Sequence, residues 1–320
     1  MTLVVARLEL RGPGGEPVDL WRTLRSHGVA DLPPMRIDDA SRSATVTLPA
    51  PDGPRTLRIS EAAGAGARAF AAAELVDGGP PPGPAATAAL AAIVRRMLCL
   101  DDDLSGFYAA CASDPELAWT ARGAGRLLRS PTVFEDIIKT ICTTNCTWSA
   151  TERMVGALVD HLGAAAPVPA GGTPGRAFPT PETMAGADPA FYRDVARAGY
   201  RTAYLRSIAA SVASGESDLE ALLASPPEGP SDDDVERRLL ELPGVGPYAA
   251  AHVMMLLGRH SRLVFDSWTR PKYARLQGRA PGKLVADRTI MRRFRRYGRH
   301  AGLAFWLVLT RDWVDDEAGM

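Results

Sequence analysis

Between residues 232 and 270 the chain reads Asp232-Asp-Asp-Val-Glu-Arg-Arg-Leu-Leu-Glu-Leu-Pro-Gly-Val-Gly-Pro-Tyr248. It continues through Ala249-Ala-Ala-His-Val-Met-Met-Leu-Leu-Gly-Arg259 to Leu263-Val-Phe-Asp-Ser-Trp-Thr-Arg270. Val235, Leu239 and Leu240 recur at helical spacing behind acidic residues that suit a helix N-terminus, Pro243 and Gly244 end that helix, and Pro247 opens the next at its first position. The order is therefore helix, tight turn from Leu242 to Gly246, helix, and then a lone carboxylate, Asp266. Two glycines one residue apart let the backbone adopt positive φ and approach another molecule closely. The unpaired N–H groups at the start of the second helix then face outward as an anion site. A phosphate of a nucleic acid backbone fits there.

With 320 residues, 46% hydrophobic and 23% charged, the chain can bury one large core or two modest ones, and disorder is excluded as the default. No apolar run reaches membrane-spanning length. The N-terminus, Met1-Thr-Leu-Val-Val-Ala-Arg7, lacks a basic segment followed by a long apolar one, so a cytoplasmic, nucleoid-associated place and no membrane contact are expected. Cys99, Cys111, Cys142 and Cys146 show no zinc-type spacing and are too few for a disulfide framework, so they read as small buried apolar residues. A net charge of zero, from 37 basic and 37 acidic residues, argues against indiscriminate nucleic-acid coating. The charge is unevenly spread, however. Basic residues dominate from Arg259 to Arg311, densest at Arg292-Arg293-Phe294-Arg295-Arg296 and Arg299, while acids gather at Asp101 to Asp103, Asp232 to Asp234 and Asp315 to Glu317. A basic stripe beside the hairpin would neutralise a phosphate backbone; a solvated helix face is the plainer reading of the same run.

Along the chain the pattern predicts an α+β protein. Residues 1–76 form a small mixed domain containing antiparallel strands: Leu3 to Leu10, Ala44 to Leu48, Thr56 to Ile59 and Ala67 to Val76, with a short helix from Val18 to Ser26. No titratable cluster marks this part. Residues 77–84, Asp77-Gly-Gly-Pro-Pro-Pro-Gly-Pro84, support neither ladder nor helix and read as a linker. From 85 to 320 the pattern is helical, starting with an apolar stripe of Leu90, Ile93, Val94 and Met97.

A second informative stretch runs from Ser130 to Trp148. Val133, Phe134, Ile137, Ile138 and Ile141 make an apolar helical face, which stops in the polar cluster Thr143, Thr144, Asn145 and Thr147 beside Trp148. Small polar groups with one aromatic at a helix end can enter a duplex and fill the gap left by an extruded base; a capped helix end is the bland alternative.

Together the Leu-Pro-Gly-Val-Gly turn, Asp266 beyond it and the Cys-Thr-Thr-Asn pattern before it resemble the helix-hairpin-helix (HhH-GPD) DNA glycosylase superfamily, which includes 3-methyladenine DNA glycosylase II and 8-oxoguanine DNA glycosylase. The resemblance covers roughly residues 85 to 313. It implies that Asp266 is the catalytic carboxylate, that Asn145 is the wedge in the duplex, and that Leu242, Gly244, Val245, Gly246 and Arg270 contact the DNA backbone. It also implies a monovalent cation on the backbone of Leu242 and Val245. Some relatives carry a four-cysteine iron–sulfur loop after the catalytic helix. No cysteine follows Cys146 here, so neither a cluster nor another cofactor is expected. The Gly199-Tyr-Arg junction also recurs in the family, and is equally a glycine helix cap.

Cleaving an N-glycosidic bond requires help for the positive charge that builds on C1′ and O4′, which a nearby carboxylate gives electrostatically or by orienting water. Asp266 suits that task, and also suits a helix cap. The strand-nicking branch of the family uses a hairpin lysine whose place is taken here by Tyr248, so hydrolysis without lyase activity is expected. A flipped base needs aromatic partners. Tyr248, Trp148, Trp268 and Trp306 are the candidates, with His252 at the pocket edge, and an electron-rich box favours a cationic, alkylated purine. Trp148 and Trp306 fit a core equally well, and His252 fits a satisfied helix histidine. Gly302 stands where oxoguanine readers carry a polar side chain. The expectation is a monomeric, monofunctional glycosylase acting on alkylated purines in damaged double-stranded DNA. A glycosylase for oxidised or deaminated bases and a catalytically inactive DNA-binding protein are the rivals.

Overall fold

A computed structural model describes residues 3–64, 68–169, 171–224 and 229–314. Five strands, β1 (Leu3–Glu9), β2 (Met35–Asp38), β3 (Ser43–Leu48), β4 (Arg55–Ala63) and β5 (Ala69–Leu75), form an antiparallel sheet in the order β1-β5-β4-β3-β2. Alternation fixes the register: Ala44 lies opposite Ile59, Val46 opposite Leu57, and Ile59 opposite Ala73, so the apolar side chains share one buried face. The expected strands are present, although Ala67, where the last was expected to begin, lies outside the described residues. β2 was not anticipated. It is an edge strand of four residues, Met35 and Ile37 alternating with Arg36 and Asp38, too short for the alternation to stand out.

Among the described residues twelve α-helices accompany the sheet: α1 (Leu20–Leu24), α2 (Pro84–Met97), α3 (Ser105–Cys111), α4 (Val133–Thr143), α5 (Trp148–Leu162), α6 (Pro181–Gly186), α7 (Arg201–Ala213), α8 (Asp232–Glu241), α9 (Pro247–Leu256), α10 (Thr269–Leu276), α11 (Asp287–Phe294) and α12 (Ala301–Thr310). Leu20 and Leu24 of α1 and Leu90, Val94 and Met97 of α2 cover the apolar face of the sheet. The core of the first layer thus continues past the proline-glycine segment into α2. That segment is tied down: Arg55 meets Asp77 through two bonds of 3.0 Å, and Asp77 also accepts the N–H groups of Thr56 and Gly79.

The helical part has two cores. One packs α4, α5, α7, α8 and α9 through residues such as Ile137, Ile141, Leu205, Leu239 and Val253. The other surrounds α12 with Phe107, Tyr273, Ile290, Phe294 and Tyr297. Gly302 of α12 has a packing reason. Its N–H donates to the His260 carbonyl at 2.7 Å, and a Cβ there would lie 2.0 Å from the Arg262 oxygen. Among the described residues no helix is long and apolar enough to cross a membrane.

Candidate active site

α8 begins at the Ser231 cap, whose Oγ accepts the N–H of Asp234, with Asp232, Asp233 and Asp234 in the first turn. It ends at Leu242, whose carbonyl accepts the N–H of Val245 at 3.1 Å across Pro243 and Gly244. Gly244 has φ +83°, so a proline is followed by a left-handed residue, as a tight turn of this handedness requires. A Cβ on Gly244 would also lie 2.4 Å from the ring of Tyr204. Val245 is buried in the helical core and anchors the turn from beneath. Gly246 caps α9 in an extended conformation, with open space where a side chain would be and no side-chain cap. Among the described residues nothing accepts from the N–H groups of Gly246, Tyr248 and Ala249. Gly246 is exposed and Tyr248 partly so at the positive end of α9, while Ala249 is buried.

The hairpin forms one wall of a cleft of about 550 Å³. Thr143, Thr144, Asn145 and Cys146 at the end of α4 form another wall, Tyr200 and Tyr204 a third, and Phe265, Asp266 and Ser267 close it. Asp266, Tyr248, Asn145, Gly244 and Gly246, named separately from the sequence, therefore meet at one surface.

Asp266 is half-buried at the start of α10. Its Oδ1 accepts the N–H groups of Trp268 (2.8 Å) and Thr269 (2.6 Å), and its own N–H donates to Thr269 Oγ1 at 2.9 Å. This reciprocal cap fixes the side chain through one oxygen. Oδ2 has no hydrogen bond among the described residues, so the cap and a role in the cleft are compatible.

The Tyr248 hydroxyl lies 3.3 Å from Thr143 Oγ1. Burial, aided by the charge of Asp266, raises the phenol above its ordinary range, so it stays protonated and can donate. Asn145 sits at φ +47°, exposed beyond the last turn of α4, and its Nδ2–H donates to the Tyr200 hydroxyl at 3.3 Å. Tyr200 is 54% exposed, and the Arg201 guanidinium lies 4.6 Å from its ring centre while donating to the Thr144 carbonyl. Tyr200 and Tyr204 were missed in the sequence. The signal for Tyr200 was the Gly199-Tyr-Arg junction, and Tyr204 follows one turn later with its ring 6.0 Å from that of Tyr200.

The other expected pocket residues lie elsewhere. His252 is buried behind Tyr248 with ring centres 6.1 Å apart, its Nδ1 3.2 Å from Thr140 Oγ1 and its ring 5.8 Å from that of His27. Burial pushes it down to about 4, so it is neutral. Trp148 starts α5, 44% exposed, and covers Gly28 without lining the cleft. Trp306 is buried in the second core, where its Nε1–H donates to the Ser26 carbonyl, and Trp268 packs against it. Arg270 makes a bidentate ion pair with Asp287 at 2.8 and 2.9 Å and lies 5.2 Å from the Phe265 ring centre. In the basic run, Arg293 pairs with Glu116 and Arg296 with Asp114, both just beyond α3. The acids at Asp315 to Glu317 lie outside the described residues.

Cys99, Cys111 and Cys142 are buried, and burial lifts the thiols of Cys99 and Cys142 to about 12. Cys146 departs from the expectation: beyond the end of α4 at Thr143 the residue is exposed on the cleft rim, while its thiol donates to the Cys142 carbonyl at 3.2 Å and lies 3.3 Å from Thr151 Oγ1. No group of three or more His, Cys, Asp or Glu side chains is arranged to hold a metal ion among the described residues.

Neither a protein-family model nor a curated protein matches the sequence. Solved structures do match. The 3-methyladenine DNA-glycosylase from Archaeoglobus fulgidus superposes with a TM-score of 0.70 at 19% identity, covering 96% of this chain and 98% of that one. MBOgg1 in complex with a low affinity DNA ligand gives 0.69 at 19% identity, covering 98% and 99%. The Clostridium acetobutylicum 8-oxoguanine glycosylase/lyase, in complex with dsDNA containing cytosine opposite to 8-oxoG, gives 0.67 at 18%, covering 96% and 98%. The chain has the fold of these proteins over nearly its whole length.

Proposed function

We propose that this chain is a monofunctional DNA glycosylase that hydrolyses the N-glycosidic bond of damaged purines, alkylated ones foremost, in duplex DNA. The observation that carries this reading is the carboxylate of Asp266 sharing a cleft with the amides of Gly246 and Tyr248 in the hairpin. An anion cradle on one wall of the cleft and a carboxylate on another suit a substrate that is a phosphodiester on one side and a developing sugar cation on the other.

In this mechanism the amides of Gly246 and Tyr248 hold a backbone phosphate, and Asn145 and Tyr200 enter the duplex where the damaged nucleotide leaves it. The extruded base stacks at Tyr248. Asp266, pinned through Oδ1, presents Oδ2 to the anomeric centre, where it stabilises the oxocarbenium-like charge or orients the attacking water. Nothing at Tyr248 can form a Schiff base, which favours water as the nucleophile and an abasic site as the product. The carbonyls of Leu242 and Val245 suit a monovalent cation. Leu242 uses one lone pair for the Val245 N–H, leaving the other free, and the ion would add positive charge beside a phosphate. No further cofactor enters the scheme.

The test is release of free base from duplexes carrying methylated, oxidised or deaminated bases. Methylated purines are expected to be released without strand cleavage, and Asp266→Asn to slow release by about 10²–10³-fold while retaining duplex binding. Equal release by the parent and the variant would end this mechanism. Binding without release of any base would favour a non-enzymatic role.

A further inference from the structure

Trp268, Trp306 and Trp313 form a mutual cluster, with ring centres 5.8 Å (268 to 306), 5.3 Å (268 to 313) and 5.9 Å (306 to 313) apart. Two rings need about 7 Å between them to admit a stacked base, twice an aromatic contact distance, so this cluster is packed against itself and is not a pocket. It is anchored at both ends. Trp306 donates its Nε1–H to the Ser26 carbonyl at 2.8 Å, in the segment that follows α1 on the sheet side of the molecule. Trp268 donates its backbone N–H to Asp266 Oδ1 at 2.8 Å, and Thr269 donates alongside it. Trp313, 38% exposed, arrives from the other end of the chain, and its segment is held by the Lys272–Asp312 ion pair and by Arg22 donating to the Val314 carbonyl.

A carboxylate gripped by two backbone N–H groups is only as fixed as the residues that supply them. α10 is eight residues long, and Trp268 is the last residue before it. Its indole is gripped by Trp306 and Trp313, while the Arg270–Asp287 ion pair holds the same turn to α11. We propose that the tryptophan cluster is a positioning device, through which the N-terminal sheet layer at Ser26 and the C-terminal turn at Trp313 hold Trp268 and thereby aim the Asp266 carboxylate into the cleft. The inference rests on Asp266 being the agent of base release. It gives the sheet domain, which brings no titratable cluster to the cleft, a part in the reaction. Trp268 and Trp313 line no part of the cleft, so both are positioning residues.

Trp313→Ala and Trp313→Phe, compared with the parent, provide the test, since a half-exposed ring can be removed with the fold intact. Three quantities are read: the single-turnover rate of base release, the affinity for a duplex containing a tetrahydrofuran abasic analogue, and amide hydrogen exchange at Trp268 and Thr269. The alanine variant is expected to slow release by about tenfold or more, to keep duplex affinity within twofold, and to speed exchange at both amides about tenfold. The phenylalanine variant is expected to recover most of each loss. Release and exchange both at parental values would overturn the proposal, as would a loss confined to affinity. If the parent releases no base from any duplex, the functional reading falls separately, and exchange alone decides whether the cluster fixes the turn, with parental exchange overturning it. Should circular dichroism show Trp313→Ala unfolded, Trp268→Leu replaces it with the same three readouts.

Discussion

Gly244 is held to its identity twice, by φ +83° and by the Tyr204 ring that occupies the place of a Cβ. Gly244→Ala is therefore expected to destabilise the protein by about 1–3 kcal/mol and to weaken duplex binding, because the turn that sets the hairpin amides would shift. Urea unfolding and a fluorescence-anisotropy titration with duplex DNA check both effects. This position was legible in the sequence because a glycine flanked by proline dictates local geometry whatever surrounds it, whereas Asp266 was named by resemblance, from its distance beyond the hairpin. Trp306 was not legible. Every residue of α12 is buried, so no polar side exists from which to read the direction of a given side chain. The place of Trp268 depends on Trp313, a contact that no local pattern encodes.

Among the elements, the hairpin helices and the strands of the sheet followed from periodicity, whereas β2 and the union of α2 with the sheet did not, because both depend on what packs against them. The junction of sheet and helices is a buried ion pair. Arg126 donates to Glu16 at 2.6 Å with both side chains at 5% exposure or less, and the same guanidinium reaches the carbonyls of Cys99 and Asp102. Glu16 also accepts the N–H of Leu104. Removing one partner leaves an uncompensated buried charge, so Glu16→Ala is expected to cost about 3–5 kcal/mol, and Glu16→Leu combined with Arg126→Leu distinctly less. Chemical denaturation of the two variants measures the difference, and an equal loss in both would mean that the pair stabilises through its attraction alone.

At the scale of the whole molecule, acid is the condition under which this fold is most exposed. Burial pushes His27 and His260 down to about 3 and His252 to about 4, while an unfolded histidine titrates near 6.5. Below about pH 6.5 the unfolded chain takes up protons that the folded one refuses, so the stability these groups contribute is present above that pH and is lost as pH falls toward 4. Asp136 runs the other way: burial raises it to about 6, so its contribution is present at low pH and lost as pH rises through 6. These three histidines and His300, which burial also lowers to about 4, together outweigh it. The melting temperature is expected to fall steadily from pH 7 to pH 5, and replacing His27 and His252 with glutamine to flatten that fall, as differential scanning calorimetry would record.

Asn145 has a consequence for how its position can vary. At φ +47° the main chain tolerates asparagine, aspartate or glycine far better than any branched or bulky residue. The alphabet open to drift or to a saturation library at this site is therefore narrow before DNA is considered at all. A paucity of replacements there would reflect the shape of the loop as much as the task of the side chain, and glycine is the exchange that separates the two.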